Sequence, residues 1–200
     1  MATDRYQRLP GVALPRVIEP RQESRAFGKA GVEVTGQPLR LARSERIAPI
    51  GRVTGPDQPA AGVLRQATEA DRPIVRAWIH AFIDDACGHV GPDDVDRTFR
   101  SRLSATTEAC YYCELMGRPV SLVGWSGRAP NGFRIGPVYR PPPDRRRRYA
   151  TIAALCRLML AGERTWCVLV ADLANPTTAH IYQSIGFEPA GDVDEYALSN

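Results

Sequence analysis

Four consecutive arginines, Arg145 to Arg148, are the residues of this chain whose type and spacing most directly suggest chemistry. They lie between a strand pattern at residues 133–139 and an amphipathic helix pattern that begins at Tyr149. The N-terminus of a helix offers unpaired backbone N–H groups and the positive end of the helix dipole. This position predicts a phosphate-binding loop, although a solvated turn would also explain the charge.

The last predicted helix carries a second set of candidate residues. Asn175 is a favourable N-cap and Pro176 suits the first helical position, so the helix is predicted to begin there. Tyr182 follows two turns later, and a phenol with a pKa of about 10 can donate a proton to a leaving group of similar basicity. Without further information Tyr182, on a face with Thr178 and Ile185, would more often be a core residue.

Alternating strands and helices position these residues. Strand patterns occur at residues 38–43 (continued at 46–50), 63–67, 109–115, 119–125, 133–139, 167–171 and 192–198. Helix patterns occur at residues 19–30, ended by Gly31, at 68–88 after a capping box, and at 93–104, 149–161 and 175–186. The fully apolar run 167–171 is typical of a central strand with a parallel neighbour.

Composition excludes several classes of protein. The 200 residues are 44% hydrophobic and 24% charged, which favours one substantial globular core. No apolar run approaches the ~20 residues that span a bilayer and no secretory signal is evident, so a cytoplasmic location is expected. Five cysteines do not indicate a disulfide framework. Cys110 and Cys113 are three residues apart on a strand, which points their thiols to opposite faces, so no metal site is predicted.

The order of the elements from residue 62 onward resembles the GNAT superfamily of acetyl-CoA-dependent N-acetyltransferases. The most specific stretches are 135–143, Ile-Gly-Pro-Val-Tyr-Arg-Pro-Pro-Pro, and 172–178, Asp-Leu-Ala-Asn-Pro-Thr-Thr, followed by Ile181-Tyr182 and 185–187, Ile-Gly-Phe. Together they are similar to a bacterial subgroup with a longer N-terminal half. Here that half is shortened to residues 1–50, an arm with a short helix and a strand. Residues 51–61, rich in Gly and Pro, form the predicted linker to a domain at 62–200.

The resemblance implies an α/β fold, with strands and helices around a mixed (α+β) sheet. Three αβα layers are expected, with six to seven strands in the central sheet and four helices. The implied activity is transfer of acetyl from acetyl-CoA, as co-substrate, to an amine of a small molecule or peptide.

The family holds the pyrophosphate of the co-substrate in a loop of pattern Arg/Gln-x-x-Gly-x-Gly/Ala. In this chain the pattern falls on Arg145, Arg146, Arg147, Arg148, Tyr149 and Ala150. Arg148 occupies the glycine position, and Arg146 another site that is commonly glycine, where glycine lets the backbone approach phosphate. Two outcomes stay open: the arginines bind phosphate directly, or the co-substrate binds weakly or not at all.

The resemblance also implies roles for four residues outside that loop. Backbone donors near Val138 and Tyr139 would hold the pantetheine arm and polarise the thioester carbonyl, where the strand parts from its neighbour. Pro137 suits such a parting, although a proline on an edge strand is the alternative. Asn175 would bond the co-substrate arm, and Tyr182 would act as general acid. No general base is assigned; the carboxylates and histidine considered are Glu114, Asp84, Asp85 and His89.

Two other functions remain open. A catalytically inactive GNAT-like protein that binds a ligand or a partner would account for the altered pyrophosphate loop and the missing base. An anion or nucleic-acid binder would use Arg140 with Arg145 to Arg148, but no aromatic platform accompanies the cluster, which disfavours a nucleic-acid partner. The expected partner is a small-molecule amine, no membrane association is expected, and pairing into a homodimer is left open.

Overall fold

The computed structural model describes residues 16–55, 62–87, 108–127, 131–147, 149–162 and 164–198. Strands in these ranges are β1 Arg16–Pro20, β2 Leu39–Ile50, β3 Val63–Gln66, β4 Glu108–Leu115, β5 Arg118–Ser126, β6 Gly132–Tyr139, β7 Trp166–Asp172 and β8 Gly191–Leu198. The helices are α1 Arg21–Thr35, α2 Arg72–Cys87, α3 Tyr149–Leu160 and α4 Pro176–Ile185. Among the residues described, no helix is both long and apolar enough to cross a membrane.

The described residues form two compact units. The first contains residues 16–48, 170–179 and 189–198, and the second contains the described residues between 49 and 169 together with 180–188. Three elements, β2, β7 and α4, contribute residues to both units.

In the first unit β8 lies between β1 and β2 and pairs antiparallel with each of them. Helix α1 packs closely on β8, where the hydroxyl of Ser24 donates to the carbonyl oxygen of Asp194 at 2.7 Å. A Cβ atom at Gly31 would lie only 2.7 Å from a methyl carbon of Leu198. Residues 16–48, part of the arm predicted at residues 1–50, therefore belong to the same unit as β8.

The structure corrects two predictions for this region. Helix α1 does not end at Gly31 but continues to Thr35, and Gly36 ends it with a φ of 70°. Gly31 is tolerated inside the helix because the absent side chain permits the close approach to β8. Strand β1 was not predicted, so the described part of the chain contains eight strands and not six to seven. Its side chains are mostly exposed, and its pairing with β8 leaves no apolar pattern in the sequence.

The second unit has the strand order β7-β6-β5-β4-β3. Strands β3 to β6 are antiparallel, and β7 runs parallel to β6, as the apolar run predicted. Leu122 of β5 belongs to the core that includes Val75 and Ile79 of α2. The preceding residue, Ser121, lies on the opposite face and shares a 2.6 Å hydrogen bond with Thr151 of α3. Helices α2 and α3 thus cover opposite faces, and the predicted three-layer arrangement is confirmed in this unit.

Local signals in the sequence are confirmed at several element ends. Met116 and Gly117 form the two-residue turn between β4 and β5, with φ values of 49° and 74°. The capping box before α2 is present, since the carboxylate of Asp71 accepts the backbone N–H of Thr68 at 2.7 Å. The helix predicted at 93–104 lies outside the described residues.

The capping residue Asp71 also forms a bidentate ion pair with Arg65, at 2.8 and 2.9 Å, which lowers the pKa of the carboxyl below its usual value. Because the folded-state pKa lies below the unfolded value of about 4, the ionised carboxylate stabilises the fold above that pH. This contribution to the free energy of unfolding is lost as the pH falls. We expect Asp71→Asn to lower the free energy of unfolding at pH 7 by about 1–2 kcal/mol. The loss should shrink in urea denaturation series as the pH is lowered toward 3.

The matched control is Glu69→Gln, because the side chain of Glu69 is 61% exposed in its ion pair with Arg72. Its free energy of unfolding should change by less than about 0.5 kcal/mol at either pH. An equal loss for Asp71→Asn at pH 7 and pH 3 would contradict the assigned role of the carboxylate charge.

Candidate functional site

Strand β6 contains a bulge at the position where the sequence places Gly136 and Pro137. Val138 pairs with Val123 of β5, whereas Ile135 pairs with Trp125, so β6 carries one more residue than β5 between these pairs. Gly136 has a φ of 145°, a conformation that favours glycine, and its peptide bond to Pro137 is cis. In the sheet β6 lies between β5 and β7, but its last residue pair with β7 is at Arg134, so Pro137 lies where β6 has no residue pair on that side.

The parallel pairing of β6 with β7 ends just before this bulge. The paired residues are Gly132 with Trp166, Phe133 with Cys167 and Arg134 with Val168. Strand β6 nevertheless continues to Tyr139, beyond the last residue pair. Its carboxyl-terminal half, which includes Val138 and Tyr139, therefore runs on without a residue pairing to β7.

Aromatic packing holds the end of β6 in place. The ring of Tyr139 lies 5.9 Å from that of Trp78 on α2, and Trp78 meets Tyr112 of β4 edge-on at 5.6 Å. The hydroxyl of Tyr112 is buried and has no hydrogen-bond partner among the residues that the structure describes, and burial raises the pKa of this phenol. The side chain of Tyr139 is thus packed against the core beside α2, which positions the backbone that follows the bulge.

The arginine loop follows directly on the same segment. Residues Pro142–Arg147 form a short 3₁₀ helix, and α3 begins at Tyr149. The backbone at the predicted positions Arg145, Arg146, Arg147, Tyr149 and Ala150 therefore lies at the amino-terminal end of α3, where backbone donors are available. Arg148 lies outside the described residues.

The remaining predicted site residues lie on α4. The side-chain oxygen of Asn175 accepts the backbone N–H of Thr178 at 3.2 Å, so Asn175 caps this helix as the sequence predicted. Tyr182 is half-buried, with its ring 5.9 Å from that of Phe187. The general-acid role of Tyr182 and the binding role of Asn175 stay predictions.

Two of the carboxylates considered as a general base contact basic side chains. Glu114 accepts from Arg65 at 2.7 Å, and Asp84 lies 2.9 Å from His80 one turn earlier on α2. Asp85 is exposed near the end of α2, and His89 lies outside the described residues. We therefore assign no general base.

Comparison with known proteins finds similar structures but no match to a family model or to a curated protein. No protein-family model matches the chain, and no curated protein matches it. Among solved structures, an acetyltransferase of the GNAT family from Novosphingobium aromaticivorans superposes with a TM-score of 0.60 at 20% identity, covering 92% of this chain and 74% of that chain. A GCN5-related N-acetyltransferase from Kribbella flavida gives 0.59 at 16% identity, with coverage of 92% and 67%.

The chain has the GNAT fold. A third structure with this fold is the spermidine N-acetyltransferase from Vibrio cholerae in complex with CoA and spermine, at a TM-score of 0.52 and 14% identity, covering 68% of this chain and 94% of that chain. The resemblance inferred from the sequence is thereby confirmed for the architecture.

Gly136 offers a test of the bulge that is free of steric clash, because a Cβ atom there would meet nothing within 4 Å. We expect Gly136→Ala to lower the free energy of unfolding by about 1 kcal/mol, since alanine at this positive φ is strained. Urea denaturation measures the change. Gly191→Ala is the matched control: it also has open space, but no positive φ, and should change the value by less than about 0.5 kcal/mol. Equal losses in free energy of unfolding for the two variants would contradict the positive φ of Gly136 as the cause.

Proposed function

We propose that this chain is an N-acetyltransferase that transfers acetyl from acetyl-CoA to an amine of a small molecule or a peptide. The observation that carries the proposal is the bulge at Gly136 and Pro137, which coincides with the end of β6–β7 pairing. An extended chain with amide groups, such as the pantetheine arm, can bond to strand backbone that lacks a strand neighbour. The likeness to GNAT structures, several of them crystallised with CoA, supports the same ligand.

In the proposed reaction an amine attacks the thioester carbonyl carbon, the C–S bond breaks, and the departing sulfur takes up a proton. Backbone N–H groups near Val138 and Tyr139 would stabilise the charge that develops on the carbonyl oxygen. Tyr182 would donate the proton to sulfur, and Asn175 would bond the arm of the co-substrate at the start of α4. The proton released by the amine passes to water or to a base that we do not assign.

The diphosphate of the co-substrate would lie at the N-terminus of α3. Backbone donors of that helix end and the guanidinium groups of Arg145 to Arg148 both favour a doubly charged group there. Glycine at these positions would let the backbone approach phosphate closely. Arginine would instead bond the phosphate oxygens through its side chain. The acceptor is proposed only as an amine.

Binding of CoA tests this proposal before any acceptor is known. Calorimetric titration should give a single site with a dissociation constant on the order of micromolar, near −8 kcal/mol. Arg148→Gly, titrated in parallel, should bind CoA more weakly because a phosphate-binding guanidinium is lost. Tighter binding by Arg148→Gly would indicate that the side chain blocks the loop, and no binding by either protein would overturn the proposal.

Tyr182→Phe tests the general acid. With acetyl-CoA and an amine panel that gives measurable turnover, we expect kcat to fall about 100-fold or more while KM for acetyl-CoA stays within a few-fold. The phenol of Tyr111, half-buried and 3.5 Å from the Gln66 side chain, provides the control variant Tyr111→Phe, which should keep the wild-type kcat. Equal kcat values for the two variants would exclude Tyr182 as the acid.

A further inference from the structure

The two ends of the arginine loop are anchored by side chains of which the sequence singled out only Arg140, and that one as a direct anion ligand. At the first end, the carboxylate of Asp144 accepts two hydrogen bonds from the guanidinium of Arg118, at 2.9 and 3.0 Å. Such fork-to-fork geometry fixes orientation as well as distance. Arg118 is the first residue of β5, directly after the tight turn at Met116 and Gly117, so the anchor belongs to a regular hairpin.

Arg140 connects this end of the loop to the other. One of its terminal nitrogens donates to the backbone carbonyl of Asp144 at 3.0 Å, and the second donates to the hydroxyl of Thr151 at 3.4 Å. Thr151 lies on the first turn of α3 and shares its 2.6 Å hydrogen bond with Ser121. Both hydroxyls are buried, with residue exposures of 2% and 3% for Thr151 and Ser121.

The described backbone of the loop, at residues 145–147, 149 and 150, thus lies between anchored positions at Asp144 and Thr151. The carboxylate of Asp144 would repel a phosphate bound at the next residues, but both of its oxygens accept from Arg118, which neutralises the charge. Arg140 spends two donor nitrogens on the loop itself, which suits a structural link better than a direct phosphate ligand.

We propose that Arg118 and Asp144 are positioning residues that, together with Arg140 and Thr151, hold the arginine loop in the geometry that receives a diphosphate. The inference rests on the proposed function, and it adds residues that act on the co-substrate through the loop. Changes in these residues should affect binding only at the diphosphate end of acetyl-CoA, because the anchors contact the loop and the start of α3.

Asp144→Ala is the decisive variant, because a pure charge effect and the loss of positioning predict opposite changes in KM for acetyl-CoA. Removing a carboxylate beside a phosphate site should tighten binding if only long-range charge matters. Loss of the anchor should instead raise KM for acetyl-CoA, by about tenfold, with kcat unchanged. Arg118→Gln should give a similar increase. The double variant should be no worse than either single variant, since both remove the same pair.

A truncated donor separates positioning from general damage. S-acetylpantetheine has the thioester arm without the diphosphate, so its KM should be the same in wild type, Arg118→Gln and Asp144→Ala. Arg72→Gln, which breaks an exposed ion pair with Glu69, is the control and should leave KM for both donors unchanged. A lower KM for acetyl-CoA in Asp144→Ala, or equal increases for both donors, would overturn the inference.

Hydrogen–deuterium exchange without any ligand tests the anchors independently of the proposed function. Peptides that cover residues 141–151 should exchange faster in Arg118→Gln and Asp144→Ala than in wild type, while Arg72→Gln should not differ from wild type in these peptides. Unchanged exchange in the anchor variants would refute the anchoring itself. Faster exchange in a protein that does not bind CoA would support the anchors and refute the proposed acetyl transfer.

Discussion

The arrangement of β6 is the constraint on which the proposed chemistry depends. Three residue pairs join this strand to β7 in parallel, and an extra residue at Gly136 and Pro137 then interrupts its ladder with β5, which resumes at Val138 and Tyr139. A continuous sheet would also pair Val138 and Tyr139 with β7. The bulge instead leaves this stretch without a β7 partner, while the contact of Tyr139 with Trp78 keeps it ordered.

The segment after β6 adds positive charge to the backbone donors of the proposed site. A short 3₁₀ helix brings the arginine loop to the amino-terminal end of α3, and both sides of the loop are bound to neighbouring elements of the second unit. The four consecutive arginines of the sequence supply a concentrated positive charge at this position. Anchoring and charge are therefore complementary: one sets the position of the loop, and the other supplies attraction for an anion.

Much of the fold was predictable because its signals are local. The capping box at Thr68 to Asp71, the N-cap Asn175 and the apolar run of β7 each depend on neighbouring residues, and each lies where the sequence predicted. At Pro137 the resemblance implied a strand that parts from its neighbour, with an edge strand as the alternative, since proline cannot donate to a ladder.

What escaped prediction depends on contacts between residues far apart in the chain. Strand β1 has mostly exposed side chains and exists through its pairing with β8, and α1 passes Gly31 because Leu198 lies against it. The pair of Arg118 and Asp144 spans 26 positions, and no spacing rule connects two such residues in a chain rich in arginine. Distant pairing of common residue types leaves no periodic pattern for sequence reasoning to detect.

The most direct measurement is a crystal structure of the protein grown with acetyl-CoA. The account predicts density for the pantetheine arm along the backbone of Val138 and Tyr139, and for the diphosphate at the N-terminus of α3 beside the arginine loop. Density for the co-substrate at another surface, or a bulge region occupied by the protein's own side chains at saturating acetyl-CoA, would contradict it.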